Sequence, residues 1–216
     1  MRNKTYTLIA CAFTSVLAFG SMFGCAGKQG SSEAVFSQAL ATHQVTNDGQ
    51  ALADAGHKKN STDFSNLTSF EAKTADGKSF TQDDLAKADV TLVNFWAFGC
   101  SACEDEMPHL AQLSKTLPAN VQVITVCTDE YATAEEVAAA MREAGFEGTA
   151  LVSGSGDIAT IVDEIVYVPT TIAFNSKGEV VGAPIIGKPG DVALKFTQLI
   201  NEGLKQAGKD TINVES

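Results

Sequence analysis

The chain has 216 residues, enough for one ordinary domain with extra segments. Its net charge of −11 argues against nucleic acid and against an anionic membrane surface as electrostatic partners. Five cysteines are too few for a disulfide-stapled mini-domain.

The first 24 residues read as a targeting segment. Arg2 and Lys4 supply a positive start, and Leu8 to Phe19 is an apolar run without a charge. The stretch Met22-Phe23-Gly24-Cys25 resembles a bacterial lipoprotein cleavage site, with Met22 and Phe23 where aliphatic and small residues are usual. That resemblance implies that Cys25 becomes the lipid-bearing first residue of the mature chain. An uncleaved anchor helix is the alternative, although the apolar run is short for a membrane span. Either puts the remainder outside the cytoplasm on a membrane tether; ordinary secretion with cleavage elsewhere is a third outcome. Residues 25–62 are rich in Gly, Ser, Ala, Gln, Asn and Lys and show no sustained apolar period. They read as a flexible tether, with a short helix around Ala34–Ala41. His43 and His57 fall there and read as solvated.

A folded domain is expected over residues 63–207. Ser69–Lys73 and Lys78–Phe80 flank Asp76-Gly77, a strong hairpin signal. Thr81 then caps a short helix with acids in its first turn. Val90–Trp96 is nearly all apolar and predicts a strand buried on both faces. A helix from about Cys100 to Leu117 follows, with Pro108 inside it, where the missing N–H should kink it. Val121–Cys127 is a second buried strand, and Cys127 reads as a small buried hydrophobe. Thr133 and Glu136 form a capping box for a helix ending near Ala144 and Gly145. A short strand at Thr149–Val152 and a short helix at Ile158–Val162 come next, with Gly154-Ser155-Gly156 read as a loop. Thr171–Phe174 and Glu179–Val181 predict an antiparallel pair, and Asp191–Ala207 a final helix. Residues 208–216 read as a loose polar tail.

The chemistry concentrates at Cys100 and Cys103, two cysteines at C-x-x-C spacing where a strand gives way to a helix. The first turn of a helix offers free N–H groups and a partial positive charge, so a thiolate there is stabilised. Cys100, at the exposed end, is placed to attack a partner's disulfide. Cys103, one turn further in, is placed to resolve the mixed disulfide. Other uses of such a pair are half of a zinc site, a structural disulfide and a copper(I) site. Zinc needs more cysteines or histidines nearby, and a four-residue ring constrains the unfolded chain little. No metal site is expected.

The segment VNFWAFGCSACEDEMP, with Pro108 five residues after Cys103 and the VPTT segment at 168–171, resembles the thioredoxin superfamily. The resemblance is closest to the extracytoplasmic TlpA/ResA-like thiol–disulfide oxidoreductases. It implies an α/β, thioredoxin-like fold: a central mixed sheet flanked by helices, with an N-terminal hairpin and an inserted helix and strand. Thioredoxins place a buried acid where this chain has Asn94. TlpA/ResA-like proteins have Asn there and a glutamate three residues after the second cysteine, here Glu106. A partly buried Glu106 next to a thiol should have a raised pKa and relay the resolving proton. Glu104 and Asp105 read as solvated acids, and His109 as a surface residue. The resemblance also implies a cis bond at Val168-Pro169 that presents the Val168 backbone to an extended substrate, and a groove-shaping role for Trp96. Many relatives have an aromatic residue before the first cysteine and proline before the second, where this chain has Gly99 and Ala102.

By this resemblance the protein reduces disulfides of exported proteins, apocytochrome c among them, and draws electrons from a membrane thiol transporter. It needs no cofactor beyond the redox-active Cys100–Cys103 pair, sits on the extracytoplasmic face of the cell membrane through its lipid, and binds no nucleic acid. A thiol oxidase of DsbA type and a copper(I)-handling module of the same fold are the alternatives. A peroxidase is disfavoured because Ala97 stands where peroxiredoxins carry threonine, three residues before the reactive cysteine.

Overall fold

The computed structural model describes residues 63–213. The expected targeting segment, Cys25, the whole of the expected tether, the helix expected at Ala34–Ala41, His43 and His57 lie outside the described residues.

A seven-stranded mixed sheet forms the centre. In chain order the elements are β1 (Phe70–Thr74), β2 (Ser79–Thr81), α1 (Gln82–Leu85), β3 (Val90–Trp96), α2 (Ser101–Thr116), β4 (Val121–Cys127), α3 (Ala134–Glu143), β5 (Thr149–Gly156), α4 (Asp157–Glu164), β6 (Thr170–Asn175), β7 (Val180–Ile186) and α5 (Val192–Gln206). The strand order is β2-β1-β5-β4-β3-β6-β7. β3, β4 and β5 run parallel, and the two antiparallel hairpins β1–β2 and β6–β7 extend the sheet on either side. This is the thioredoxin-like plan with α3 and β5 inserted. Two parallel strands need a crossover, and α2 and α3 supply one each.

Every residue of β3 is buried, and its side chains divide the core. Val90, Leu92 and Trp96 face a layer built from α2, α3 and α5, with Met107, Leu110, Val137, Phe196 and Leu204 among its members. Val93 and Phe95 face the other layer, against Leu67, Ile158, Ile161 and Phe174. Alternation along one strand thus fixes which layer receives each residue. Asn94 falls on the same face as Leu92 and Trp96, beneath α2. The expected threonine caps are present: Thr81 and Thr133 each form a reciprocal capping box. Helix α2 runs unbroken through Pro108.

Two expectations are corrected. Gly154-Ser155-Gly156 is not a loop; it continues β5, pairing with β1 from Phe70↔Gly156 to Lys73↔Ser153. Its side chains are exposed, so backbone pairing rather than an apolar pattern holds it, and a β-carbon on Gly154 would collide with Ile158. The tail is also less loose than its polarity suggests. Asn201 donates to the Ile212 carbonyl at 2.9 Å and accepts from the Ile212 N–H at 2.8 Å. Ile212 packs against the core beside α5.

The turn between β6 and β7 is locked onto the start of the domain. Leu67 N–H donates to the Gly178 carbonyl at 2.7 Å. Gly178 has φ of +77°, and a β-carbon there would strike the Leu67 carbonyl. Gly178→Ala should therefore destabilise the domain by about 2 kcal/mol or more, from left-handed strain plus the clash. Urea unfolding of the variant beside the parent checks this; a loss within 0.5 kcal/mol, roughly that of an ordinary surface change, would contradict it.

Candidate active site

The strand β3 ends at Trp96, and the chain turns through Ala97, Phe98 and Gly99 before α2 begins. Gly99 has φ of +71°, a conformation that few residues other than glycine adopt easily. A glycine before Cys100 suits this turn. Phe98 N–H donates to Asp129 Oδ2 at 2.7 Å, which ties the turn to the loop after β4.

Cys100 is the N-cap of α2, and its Sγ accepts from the Cys103 N–H at 3.1 Å. Cys100 and Cys103 form a disulfide with their Cα atoms 5.2 Å apart. Cys100 is partly exposed, whereas Cys103 is only 2 % exposed. The order read from the spacing, an accessible sulfur followed by a sheltered one, therefore holds.

The peptide bond Val168-Pro169 is cis. The Val168 carbonyl oxygen lies 3.6 Å from Cys100 Sγ. In the disulfide this is a contact without a proton; in the reduced site the Cys100 thiol can donate there. Gly187 N–H donates to the Pro169 carbonyl at 2.7 Å and pins this loop to the end of β7.

Glu106 is 2 % exposed on the inner side of α2. Asn94 Nδ2 donates to Glu106 Oε1 at 2.8 Å and to Thr171 Oγ1 at 2.9 Å. Thr125, Asn94 and Thr171 sit in register on β4, β3 and β6, so a row of buried polar side chains crosses the sheet under the helix. Burial pushes the Glu106 carboxyl up to about 7, while the Asn94 hydrogen bond and the positive charge of Lys188 pull it part of the way back. Among the described residues, Asn94 Oδ1 and Trp96 Nε1 find no hydrogen-bond partner. Trp96 is buried and stands edge-on to Phe98, with ring centroids 5.0 Å apart.

The site thus brings together Trp96, Cys100, Cys103, Glu106, Val168 and Pro169. Cys127 is buried and forms no disulfide among the described residues; burial raises its thiol to about 11, which makes it a poor nucleophile. Glu104, Asp105 and His109 are exposed, as read from the sequence. Among the described residues, no cluster of three or more His, Cys, Asp or Glu could hold a metal ion. Sequence reasoning missed Thr171 and Lys188. Thr171 was visible only as part of VPTT, and Lys188 lies in a Gly-Lys-Pro-Gly turn whose proximity to Glu106 arises from the fold.

The AhpC/TSA family matches residues 65–183, more than half of the chain. The chain belongs to that family. No curated protein matches it. Among solved structures it is similar to the thioredoxin domain of a thiol-disulfide oxidoreductase from Bacteroides vulgatus. Identity there is 22 % and the TM-score 0.52, over 63 % of this chain and 96 % of that one. A putative protein disulfide isomerase from Bacteroides thetaiotaomicron gives 21 % and 0.55, over 68 % and 93 %. A thiol:disulfide interchange protein from Chlorobium tepidum gives 21 % and 0.50, over 67 % and 97 %. These likenesses establish the thioredoxin fold. With a closed C-x-x-C disulfide at the helix start, this AhpC/TSA-family chain has the site of a disulfide oxidoreductase.

The raised Glu106 pKa has a consequence for stability. The folded carboxyl titrates at about 7 against about 4.5 unfolded, so the folded state holds the extra proton between those values. Stability is then greatest below about 4.5 and falls as pH rises through about 7, by up to about 3 kcal/mol. Glu106→Gln should remove that fall. Thermal unfolding of both proteins across this pH range checks it, and parallel curves would contradict it.

Proposed function

We propose that this protein is a membrane-tethered thiol–disulfide oxidoreductase that acts outside the cytoplasm and reduces disulfides of exported proteins. The observation that carries the chemistry is Glu106, a buried carboxyl titrating near neutrality one helical turn from the sheltered Cys103. In the reduced enzyme the Cys100 thiolate attacks one sulfur of the substrate disulfide. A mixed disulfide forms and the first substrate thiolate leaves. Cys103 then gives its proton to the Glu106 carboxylate and attacks Cys100 Sγ. The Cys100–Cys103 disulfide forms, the second substrate thiolate leaves, and two electrons have passed to the substrate, whose thiolates take up protons.

Val168 and Pro169 would hold the substrate backbone against Cys100, and Trp96 would form one wall of the groove. The acid at Glu106 serves the role that a base on β3 would otherwise serve, since Asn94 cannot accept a proton. Reduction outside the cytoplasm runs against the prevailing poise, so a dedicated source is required. A membrane thiol transporter is the proposed donor, and apocytochrome c one candidate substrate. The tether rests on residues 1–24 and lipidation of Cys25. Peroxidase chemistry is not favoured by the family match alone: Ala97 replaces the threonine three residues before Cys100, and Cys100 has its partner within the same turn.

Cys103→Ser should accumulate mixed disulfides through Cys100 in the intact cell envelope, and their mass-spectrometric identification would name the substrates. No adduct on Cys100 would count against the enzyme reading. Equilibration of the wild-type pair in a thiol redox buffer tests direction: a potential near about −120 mV would make the protein an oxidase. Tight stoichiometric copper(I) binding without exchange would instead favour the metal-handling alternative.

Lys188 gives a finer test of the proton relay. Its charge favours the Glu106 carboxylate, so Lys188→Met should raise the Glu106 pKa further. The pH midpoint for resolution of a preformed Cys100 mixed disulfide should move upward. An unmoved midpoint would remove Glu106 from that step.

A further inference from the structure

The groove that Trp96 walls opens beside the sulfurs. It encloses about 460 Å³ and runs from Cys103 between α2 and α3. Trp96, Phe98, Met107 and Met141 line it, and Glu104 and Glu143 stand among its lining residues. Phe98 is 44 % exposed, although its backbone is fixed by the bond to Asp129 and its ring rests against Trp96. A large ring held in place at the mouth of a groove offers apolar surface that a bound segment would cover.

Charge selects among possible occupants. Among the described residues, no Lys, Arg or His lines the groove. Glu104 and Glu143 are exposed, and among the described residues neither takes part in an ion pair, whereas Glu147 nearby in sequence is paired with Lys115. A second copy of this chain, at net charge −11, would be repelled, and so would an acidic segment. An aromatic or methionine side chain suits the walls, and a cation suits the two free carboxylates.

We propose that the groove binds the substrate segment flanking the reactive cysteine and selects segments that pair an aromatic or methionine side chain with lysine or arginine. The proposal rests on the oxidoreductase reading and names its substrate class. Trp96 and Phe98 take the apolar side chain, and Glu104 and Glu143 take the positive charge.

The test measures kcat/KM of the full reduced chain on two disulfide peptides that differ only in Phe-Lys or Phe-Glu beside the cysteine. Hydroxyethyl disulfide, small and neutral, is measured alongside. The Lys peptide should be preferred by about tenfold at low salt, with the preference shrinking as salt rises. Glu143→Gln should cut the preference by about two- to threefold. Glu202→Gln, the same charge change on α5, should leave it in place. Equal rates on the two peptides, or an equal loss in both variants, would overturn the proposal. Failure to reduce even hydroxyethyl disulfide would overturn the oxidoreductase reading and the groove with it.

Discussion

The site depends on one carboxyl group held out of water beneath the helix that carries the sulfurs. Exposed, Glu106 would be ionised at any physiological pH and would hold no proton for exchange. Buried at 2 % exposure, it titrates near 7 and is available in both forms. Desolvation supplies that shift, and its position supplies the use. Helix α2 puts Glu106 one turn from Cys103 and over Asn94 at the same time. Moving the residue one position back would turn it toward solvent, where Asp105 already stands.

The sheet below is built to receive that group. Asn94 carries both donor and acceptor atoms, so it can meet either charge state of Glu106, which an aspartate could not. Thr125 and Thr171 flank it in register, and the resulting polar row interrupts an otherwise apolar surface at the central strand. Such a row is costly where it is incompletely paired, and among the described residues Asn94 Oδ1 lacks a partner. The surrounding layers offset that cost through burial of Leu92, Trp96, Met107 and Leu110 around it. Stability is thus spent at the place where the proposed mechanism moves a proton.

Much of this was legible in the chain because local rules and long-range needs agree there. Val90–Trp96 could only be a doubly buried strand, and Cys100, Cys103 and Glu106 follow it at fixed helical offsets. Thr81 and Thr133 announce their helices by capping chemistry. What could not be read depended on pairing across the fold. Ser153–Gly156 has no apolar alternation because its role in β5 is to offer backbone to β1. Ile212 looked like tail because its two hydrogen bonds go to Asn201, on the preceding helix. Lys188 acquires meaning only when Gly187 docks on Pro169 and brings the turn near Glu106.

Electron flow follows from how strongly the surroundings favour the reduced pair. A site that stabilises its thiolate is a strong oxidant, because its reduced form is the favoured one. The Cys103 N–H acts in that sense, donating to Cys100 Sγ at 3.1 Å at the start of α2. Three features act in the opposite sense. The Val168 carbonyl oxygen stands 3.6 Å from Cys100 Sγ, and Glu104 and Glu143 line the groove that begins at Cys103. Each penalises negative charge on sulfur, and the two carboxylates do so with whole charges rather than the fraction carried by one amide dipole. Solvent screening reduces their share, since both are exposed. The carbonyl is not screened in the same way, because it lies against the sulfur itself. The helix N-terminus favours the thiolate together with that N–H, and these three features oppose it; the proposed reductase is the reading in which the opposing set prevails.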